Sequence, residues 1–405
     1  MQKKIQDICA SNIPVENHGA KPSRSPIYPA VVYECESTDQ ADGILGGEKA
    51  GFVYQRDGHP NANSLAEKVR QLHAAEQTVI TSSGMSATAL AMISQLQSGD
   101  HVVLSDRLYG GTTKWISQEG SRLGITSSQA NFLDLEAIKS AIAPNTKMLV
   151  AETISNPLLR VVDLQKIADI AHEHDSLLLV DNTFASPAVC RPLEFGADLV
   201  VESMTKIMNG HSDVILGALC GHQRHWDRVA SALSIWGWTS SPMDCWLAER
   251  GLATLFTRLA MASQTAKKIA ELLAHTPAVD LVSYPGLLDH PDHLLAKNQF
   301  GGSQGSDSDN EILFSHLISF RLAAGSGAVD EFIKNTGGIA FCPTLGELTT
   351  AISHPASTSH RSSTTVEPEK LGIFPGTIRL SIGLESPEYI WDTLSKAIQQ
   401  AQKAG

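Results

Sequence analysis

Two apolar runs, each followed at once by polar residues, decide the fold: LLLVD at Leu177–Asp181 and LVVESMTK at Leu199–Lys206. Neither run alternates apolar with polar residues, as a strand with one solvent-exposed face would. Runs that are apolar on both faces are typical of parallel strands covered by helices on both sides of the sheet. We therefore predict that these runs are successive parallel strands of a buried sheet.

The same pattern continues along most of the chain. Further apolar runs lie at Thr78–Ile80, Val102–Leu104 and Met148–Ala151. Helical spacing of apolar residues alternates with these runs, at Asn61–Glu76, Ser86–Leu96, Leu135–Ile142 and Leu164–His172. This alternation predicts an α/β fold with a mainly parallel sheet flanked by helices.

The pattern differs at both ends of the chain. Residues 1–60 are rich in proline and glycine and show little periodicity, which predicts an N-terminal arm lying on another surface. After Met243 fewer strands are expected, which indicates a smaller α+β domain. Its predicted elements are a long helix at Met243–His275, a strand at Ile312–Leu322, a helix at Val329–Lys334, a strand at Ile378–Ile382 and a helix at Tyr389–Ala401. The predicted divisions are residues 1–60, 61–250 and 251–405, with a polar loop at 301–310.

Composition excludes several classes of partner. The 405 residues carry 31 basic and 43 acidic side chains, and the net charge of −12 argues against nucleic acid or an anionic membrane as a partner. No apolar run approaches the roughly 18 residues that a spanning helix needs. The N-terminus lacks the apolar segment of a signal peptide. The six cysteines lie far apart, as expected of reduced thiols in a cytoplasmic protein, and no histidine spacing indicates a metal site.

Three short patterns typical of serine hydrolases occur but lack their required context. Gly301–Gly305 matches G-x-S-x-G, but a polar loop follows it where a helix is needed. Ser203-Met204-Thr205-Lys206 matches S-x-x-K, and Ser308-Asp309-Asn310 follows it in the expected order. The third member of that set, K-T-G, is absent. A serine acyl-enzyme using Ser203 and Lys206 therefore stays only a remote alternative.

A different set of residues fits a single chemistry better than the serine-hydrolase patterns do. Asp181 and Lys206 follow two successive predicted strands, and ligands of open parallel sheets bind at the carboxyl ends of the strands. Each could alone be an ordinary loop residue. Ser82-Ser83-Gly84-Met85 lies between a strand and a helix, where free N–H groups can hold a phosphate. A lysine that can form a Schiff base, a carboxylate and a phosphate cradle are the groups that pyridoxal phosphate requires.

Longer motifs resemble the Cys/Met-metabolism branch of the fold-type I pyridoxal-phosphate enzymes. That family includes cystathionine γ-synthase, cystathionine γ- and β-lyases, methionine γ-lyase and the O-acylhomoserine sulfhydrylases. The resemblance extends over nearly the whole chain and rests on Asn17-His18-Gly19, Tyr54-Gln55-Arg56, Ser82-Ser83-Gly84-Met85, Tyr109-Gly110-Gly111-Thr112, Glu152–Pro157, Asp181-Asn182-Thr183, Thr205–Asp213, His354–His360 and Arg379–Glu385.

The resemblance implies roles for individual residues. Lys206 would hold the cofactor and move protons, Asp181 would pair with its pyridinium nitrogen, and Tyr109 would stack on its ring. Asn156 would contact the cofactor's phenolic oxygen and the substrate. The other implied cofactor contacts are Ser83, Gly84, Met85, Thr183, Ser203 and Thr205, together with Tyr54 and Arg56 reaching the cofactor of a neighbouring subunit. Arg379 would bind the substrate α-carboxylate, and Thr344 would make a second substrate contact.

Several residues depart from the family pattern. Gln55, His59 and Ile207 replace residues that are usual in the family, and Thr344 replaces a serine. Gly111 stands where methionine γ-lyases carry cysteine, which counts against that activity. These departures surround the substrate, so they affect the identity of the substrate more than the chemistry.

The resemblance implies a transsulfuration enzyme acting on small amino acids. The first expectation is γ-replacement on an O-acylhomoserine by cysteine, giving cystathionine. Elimination by a cystathionine γ-lyase and the O-acylhomoserine sulfhydrylase reaction remain open, as does a relic that binds cofactor without turnover. A homotetramer built from dimers that share active sites is also expected.

Overall fold

The computed structural model describes residues 22–301, 312–358 and 368–404. The motif at Asn17-His18-Gly19, most of the predicted loop at 301–310 and the end of the motif at His354–His360 lie outside these residues. The serine patterns at Gly301–Gly305 and Ser308-Asp309-Asn310 also fall largely or wholly outside them.

The larger of the two sheets has seven strands in the order β1-β7-β6-β5-β4-β2-β3. Its strands are β1 Gln77–Thr81, β2 His101–Ser105, β3 Thr126–Ala130, β4 Thr146–Glu152, β5 Leu177–Asp181, β6 Leu199–Ser203 and β7 Gly217–Gly221. The pairs from β3 to β6 are parallel, and only β7 runs antiparallel, between β6 and β1. The predicted apolar runs are all strands, which confirms the mainly parallel sheet.

Apolar side chains on both faces of this sheet are buried, as predicted. Val103, Leu149 and Leu178 belong to one core cluster, whereas Val102 and Met148 belong to the other. The helices of this part of the chain are α1 Thr38–Leu45, α2 Pro60–Leu72, α3 Gly84–Gln95, α4 Gly110–Trp115, α5 Leu135–Ala141, α6 Leu164–Glu173 and α7 Val229–Trp236.

Two strands of the sheet were not predicted, for different reasons. Strand β3 has the sequence TSSQA and lies at the edge of the sheet, so it needs few apolar residues. Strand β7 begins and ends in glycine. A Cβ on Gly217 would lie 2.2 Å from the carbonyl oxygen of Ser83, so the close approach of the chain there requires glycine.

The second sheet has five strands in the order β10-β11-β12-β9-β8. Its strands are β8 Val279–Ser283, β9 Leu317–Leu322, β10 Ala340–Phe341, β11 Ala351–Ser353 and β12 Thr377–Ser381. The remaining helices are α8 Pro242–Leu252, α9 Leu255–Ala274, α10 His293–Gly301, α11 Ser326–Lys334 and α12 Pro387–Ala404. The predicted divisions of the chain into domains remain a prediction.

The prediction of one helix at Met243–His275 was wrong, because two helices, α8 and α9, meet there. The chain leaves the helix between Leu252 and Leu255, where Thr254 caps α9 with non-helical angles. A Cβ on Gly251 would lie 2.5 Å from the carbonyl oxygen of Asn209, so the turn packs against the loop after Lys206. The predicted strand at Ile312–Leu322 is also shorter, since only Leu317–Leu322 is extended in the sheet.

Candidate active site

A cavity of about 630 Å³ opens at the carboxyl edge of the larger sheet. Strands β4 and β5 place Glu152 and Asp181 in register there, and β6 ends beside them at Ser203. Most residues predicted to bind the cofactor or substrate line this cavity: Ser83, Gly84, Met85, Tyr109, Asn156, Asp181, Thr183, Ser203, Thr205, Lys206 and Arg379. Residues distant in sequence are therefore brought together as the sequence indicated.

One wall of the cavity is built as an anion cradle. Ser83 caps α3, with its hydroxyl accepting a hydrogen bond from the Ser86 N–H at 3.0 Å. A Cβ on Gly84 would lie 2.7 Å from the Ser203 Cβ, so only glycine lets the helix start this close to β6. The free N–H groups of the first helical turn and the nearby Ser203 hydroxyl suit a phosphate. Thr205 also lines the cavity, but its hydroxyl is already bonded to the backbone of Leu216.

Asp181 ends β5 and is partly exposed to the cavity. It accepts a hydrogen bond from the Thr183 N–H at 3.0 Å. Burial raises the pKa of Asp181 to about 6, even though the bonds from Thr183 oppose this shift. The hydroxyl of Thr183 in turn accepts from the Ser203 N–H at 2.9 Å, which ties β5 to β6. A carboxylate held in this way is stabilised by a cationic N–H donor such as a pyridinium nitrogen.

Lys206 is the third residue of the turn that follows β6 and lines the cavity. Burial lowers the pKa of its amine, and the positive charge of Arg379 lowers it further. Both effects favour the neutral amine that a Schiff base requires.

Arg258, on α9, holds the segment that carries Lys206. Its guanidinium donates hydrogen bonds to the carbonyl oxygens of Ile207, at 2.8 Å, and Met208, at 3.1 Å. Gly210 has a φ of +75°, and a Cβ there would lie 1.9 Å from Nη1 of Arg258. The loop therefore needs both the glycine and the arginine, and Arg258 was not predicted from the sequence.

Arg379 reaches the cavity from β12 of the second sheet. It donates hydrogen bonds to Oδ1 of Asn156 at 2.7 Å and to the carbonyl oxygen of Thr344 at 3.1 Å, and it lies 5.5 Å from the Phe184 ring centroid. Burial lowers its pKa to about 10, so it remains a cation at neutral pH. Among the described residues, its Nε has no hydrogen-bond partner. The guanidinium is thus positioned and has donor capacity left for a carboxylate.

Thr344 contributes differently from the prediction. Its side chain does not line the cavity, and its hydroxyl donates to Oε1 of Glu347 at 2.8 Å. Its carbonyl oxygen positions Arg379 instead. A direct contact between the Thr344 side chain and substrate stays an untested prediction.

Glu152 is a site residue that the sequence analysis missed. It is buried in the cavity wall and accepts hydrogen bonds from the N–H groups of Tyr109 and Asn156. Burial and the charge of Asp181 raise its pKa well above the usual range. The strand-end argument that selected Asp181 would have selected Glu152 as well, because it ends the apolar run of β4.

Tyr54 and Arg56 lie away from this cavity. Arg56 is close to the Tyr54 ring, 5.1 Å from its centroid, and its Nε lies 3.4 Å from Oγ of Ser234. Tyr54 is 39% exposed. Neither residue lines the cavity of its own chain, and their contact with a neighbouring subunit's cofactor stays a prediction.

The donors and charges of the cavity fit pyridoxal phosphate. Asp181 suits the ring nitrogen, the start of α3 with Ser203 suits the phosphate, and Lys206 suits the Schiff base. The serine acyl-enzyme is not favoured, since Ser203 ends a strand instead of opening a helix. Among the described residues, no three potential metal ligands cluster and no helix is long and apolar enough to cross a membrane.

Comparisons with known proteins agree with this geometry. Residues 11–399 match the model of the family described as Cys/Met metabolism PLP-dependent enzyme. An L-methionine γ-lyase of Porphyromonas gingivalis is 35% identical, with 90% of each chain covered. A cystathionine γ-lyase of Bacillus subtilis is 38% identical over 87% of this chain and 90% of its own.

Solved structures lead to the same family. The cystathionine γ-synthase of Xanthomonas oryzae pv. oryzae, in complex with aminoacrylate and cysteine, superposes with a TM-score of 0.86 and 34% identity over 94% of each chain. The architecture is that of fold-type I, and the relatives are carbon–sulfur lyases and transferases. This chain is therefore a pyridoxal-phosphate-dependent transsulfuration enzyme and belongs to the Cys/Met-metabolism family.

Proposed function

We propose that the enzyme catalyses γ-replacement on an O-acylhomoserine by cysteine, giving cystathionine. The observation that carries this choice is the space around Gly111. A Cβ there would lie 2.4 Å from Cε1 of Tyr109 and 3.0 Å from Sδ of Met85. A side chain at position 111, where the methionine γ-lyases of the family carry cysteine, would require the Tyr109 ring and the Met85 thioether to move, which counts against methionine γ-lyase activity. The solved cystathionine γ-synthase is similar over 94% of its length, which supports the synthase reaction.

Bound pyridoxal phosphate supplies an electron sink for the carbon next to the substrate's amino group. Arg379 holds the substrate α-carboxylate, because its fork of donors faces the cavity and is fixed by Asn156 and Thr344. Lys206 takes the proton from Cα and returns a proton along the chain, for which its lowered pKa suits it. Asp181 would pair with the ring nitrogen of the cofactor, where its carboxylate would stabilise the protonated form of that nitrogen.

Tyr109 stands at the open side of the cavity and is 46% exposed. Its backbone N–H donates to Glu152, which anchors the chain at this point, and its ring borders the cavity where it would stack on the cofactor. The remaining wall, formed by Ile215, Pro343 and Leu345, is apolar and suits the carbon chain of the substrate.

The same residues can support elimination, so cystathionine γ-lyase and O-acylhomoserine sulfhydrylase are the alternatives. A product assay separates them, using O-succinylhomoserine, O-acetylhomoserine, cystathionine and methionine, each with and without cysteine or sulfide. We expect cystathionine from an O-acylhomoserine and cysteine as the fastest reaction. Faster cleavage of cystathionine to an α-keto acid would identify a lyase. Faster formation of homocysteine from sulfide would identify a sulfhydrylase, and holoenzyme inactive in every arm would identify a relic.

The assembly is also part of the proposal. We propose a homotetramer built from two dimers. In each dimer, the arm that carries Tyr54 and Arg56 would complete the active site of the neighbouring subunit. The exposure of apolar arm residues, 66% for Val32 and 64% for Leu45, supports a covering partner subunit. The cysteines that the structure describes are all free, which supports a reducing, cytoplasmic compartment.

A further inference from the structure

A second polar network lies directly behind the active site, on the opposite face of the sheet. Successive strand residues point to opposite faces. At the ends of β4, β5 and β6, the residues Glu152, Asp181 and Ser203 line the cavity. Their chain neighbours Thr153, Asn182 and Glu202 are absent from the cavity lining and are fully buried, each at 0% exposure.

These three residues are joined to one another. The Thr153 hydroxyl donates to Oδ1 of Asn182 at 2.6 Å, and Nδ2 of Asn182 donates to Oε1 of Glu202 at 2.9 Å. The chain of contacts ends at His73, immediately after α2, whose Nε2 lies 3.2 Å from the same Oε1. The network thus connects the three strand ends that carry the cofactor contacts.

The His73–Glu202 pair is costly unless it has a role or a compensating charge. Both side chains are 0% exposed, and among the described residues Oε2 of Glu202 and both ring nitrogens of His73 make no hydrogen bond, so the 3.2 Å approach of Nε2 to Glu202 is a close contact only. Buried ion pairs are often no more stabilising than apolar side chains of the same size. On the β7 side Glu202 pairs with the apolar Ala218, whereas on the β5 side its carboxylate accepts from Asn182.

We propose that His73 and Glu202 are positioning residues for the cofactor: they fix the ends of β5 and β6 and set the charge that Asp181 experiences through the sheet. The charge of Glu202 is one of the causes that raise the pKa of Asp181. Asn182 provides the direct connection, because it follows Asp181 in sequence and bonds to Glu202. Nε2 of His73 faces the same carboxylate of Glu202 across 3.2 Å.

Two nearly isosteric variants test this, with holoenzyme and cofactor-free protein prepared from each. Glu202→Gln removes negative charge behind Asp181, so the midpoint of the absorbance change of the bound cofactor with pH should fall by about half a unit. His73→Gln removes the ring nitrogen that faces Oε1 of Glu202, so we expect that midpoint to move in the opposite direction and rise. The dissociation constant for pyridoxal phosphate should increase by about tenfold in each variant, the size of coupling seen between neighbouring groups.

Asp198→Asn is the matched control. Asp198 is also buried and bonded to histidines, but it precedes the opposite end of the same strand β6. This variant should lower the thermal stability of the cofactor-free protein without moving the midpoint or the dissociation constant. The double variant His73→Glu with Glu202→His restores the pair with its partners exchanged, so its thermal stability should return. The pH midpoint of its cofactor absorbance should stay shifted.

Opposite shifts in Glu202→Gln and His73→Gln, absent in Asp198→Asn, would support the proposal. Unchanged midpoints and cofactor affinities in both variants would overturn it, as would equal changes in the control. If one variant does not fold, the sign of the shift in the other still decides.

Discussion

The carboxylates at the two ends of strands β5 and β6 differ in the direction of their pKa shift: the pKa is lowered at the amino end and raised at the carboxyl end. At the amino end, Asp198 accepts hydrogen bonds from the Leu178 N–H at 2.9 Å and Nη2 of Arg224 at 2.8 Å. His172 and His225 also contact it, at 2.9 Å and 3.2 Å. Burial alone would raise the pKa of Asp198, but these donors outweigh it and hold the pKa well below the usual value.

At the carboxyl end, Asp181 and Glu152 have fewer donors, and burial raises the pKa of both. At the amino end, the chain itself supplies the donors that stabilise the carboxylate. At the carboxyl end, a cationic ligand would supply the stabilisation that the chain leaves out. Burial is common to both ends, so the number of donors separates a structural carboxylate from a functional one.

The largest effect is expected at the carboxyl end from Lys206→Ala. Loss of the nucleophile and proton carrier should lower kcat by about 10³-fold or more. Thermal unfolding of the cofactor-free variant should match wild type, since Lys206 lines the cavity and is only half-buried. Replacing the exposed Lys166 by alanine is the control and should leave kcat unchanged. Wild-type rates in Lys206→Ala would refute its role.

The sharpest test of the comparison is the pH dependence of stability in cofactor-free protein. The raised pKa of Asp181 stabilises the fold below its unfolded pKa near 3.8, and that contribution is lost as pH rises through about 6. The lowered pKa of Asp198 acts in the opposite sense, since its contribution is present above the unfolded value and is lost as pH falls.

At neutral pH, Asp198→Asn should therefore cost about 3 kcal/mol of unfolding free energy. Asp181→Asn should cost nothing or should stabilise, while cofactor affinity falls. Denaturant titrations at several pH values measure both effects. Equal destabilisation by the two substitutions would show that the two ends do not differ as described.

Arg379→Lys tests the part of the site that comes from the second sheet. A lysine cannot reproduce the fork that bonds Asn156 and Thr344 while facing substrate. We expect kcat/KM to fall by about 30-fold, corresponding to loss of a charged hydrogen bond, mostly through KM. The pH titration of the bound cofactor should change little. Unchanged KM would argue against carboxylate binding by Arg379.

The smallest effect is expected from Arg56→Ala, which should weaken cofactor retention by about tenfold through loss of a charged contact to phosphate. Mixing Arg56→Ala with Lys206→Ala subunits provides the decisive control. If the arm serves a neighbour, mixed dimers contain one site with both residues intact, and activity at limiting pyridoxal phosphate rises above that of either variant alone. If activity does not rise after subunit exchange, the shared-site arrangement is wrong.

Much of the carboxyl end could be predicted from sequence. Apolar runs such as LLLVD predict strands because burial on both faces requires apolar side chains at every position. The residue after such a run then lies at the ligand-binding edge, which placed Asp181 and Lys206 together correctly. The roles of Tyr109, Asn156 and Arg379 came only from the family resemblance.

Other features were not visible in the pattern. Near the break between α8 and α9, Gly251 packs closely against Asn209, which is far away in sequence. The fixing of the Lys206 segment by Arg258 is equally non-local. Gly251 and Arg258 both lie in sequence that is compatible with an ordinary helix, so helical periodicity alone cannot reveal either contact.

The sequence by itself determined five of the seven strands of the larger sheet and the places of Asp181 and Lys206 at the ends of β5 and β6. Only the tertiary structure decided which carboxylates are satisfied, how Arg379 from β12 meets Asn156 after β4, and that Glu202 and His73 meet behind Asp181. The physical reason is how far apart along the chain the interacting residues lie. Strand and helix patterns arise from neighbours along the chain, whereas hydrogen-bond satisfaction and pKa depend on groups that only folding brings within a few ångströms.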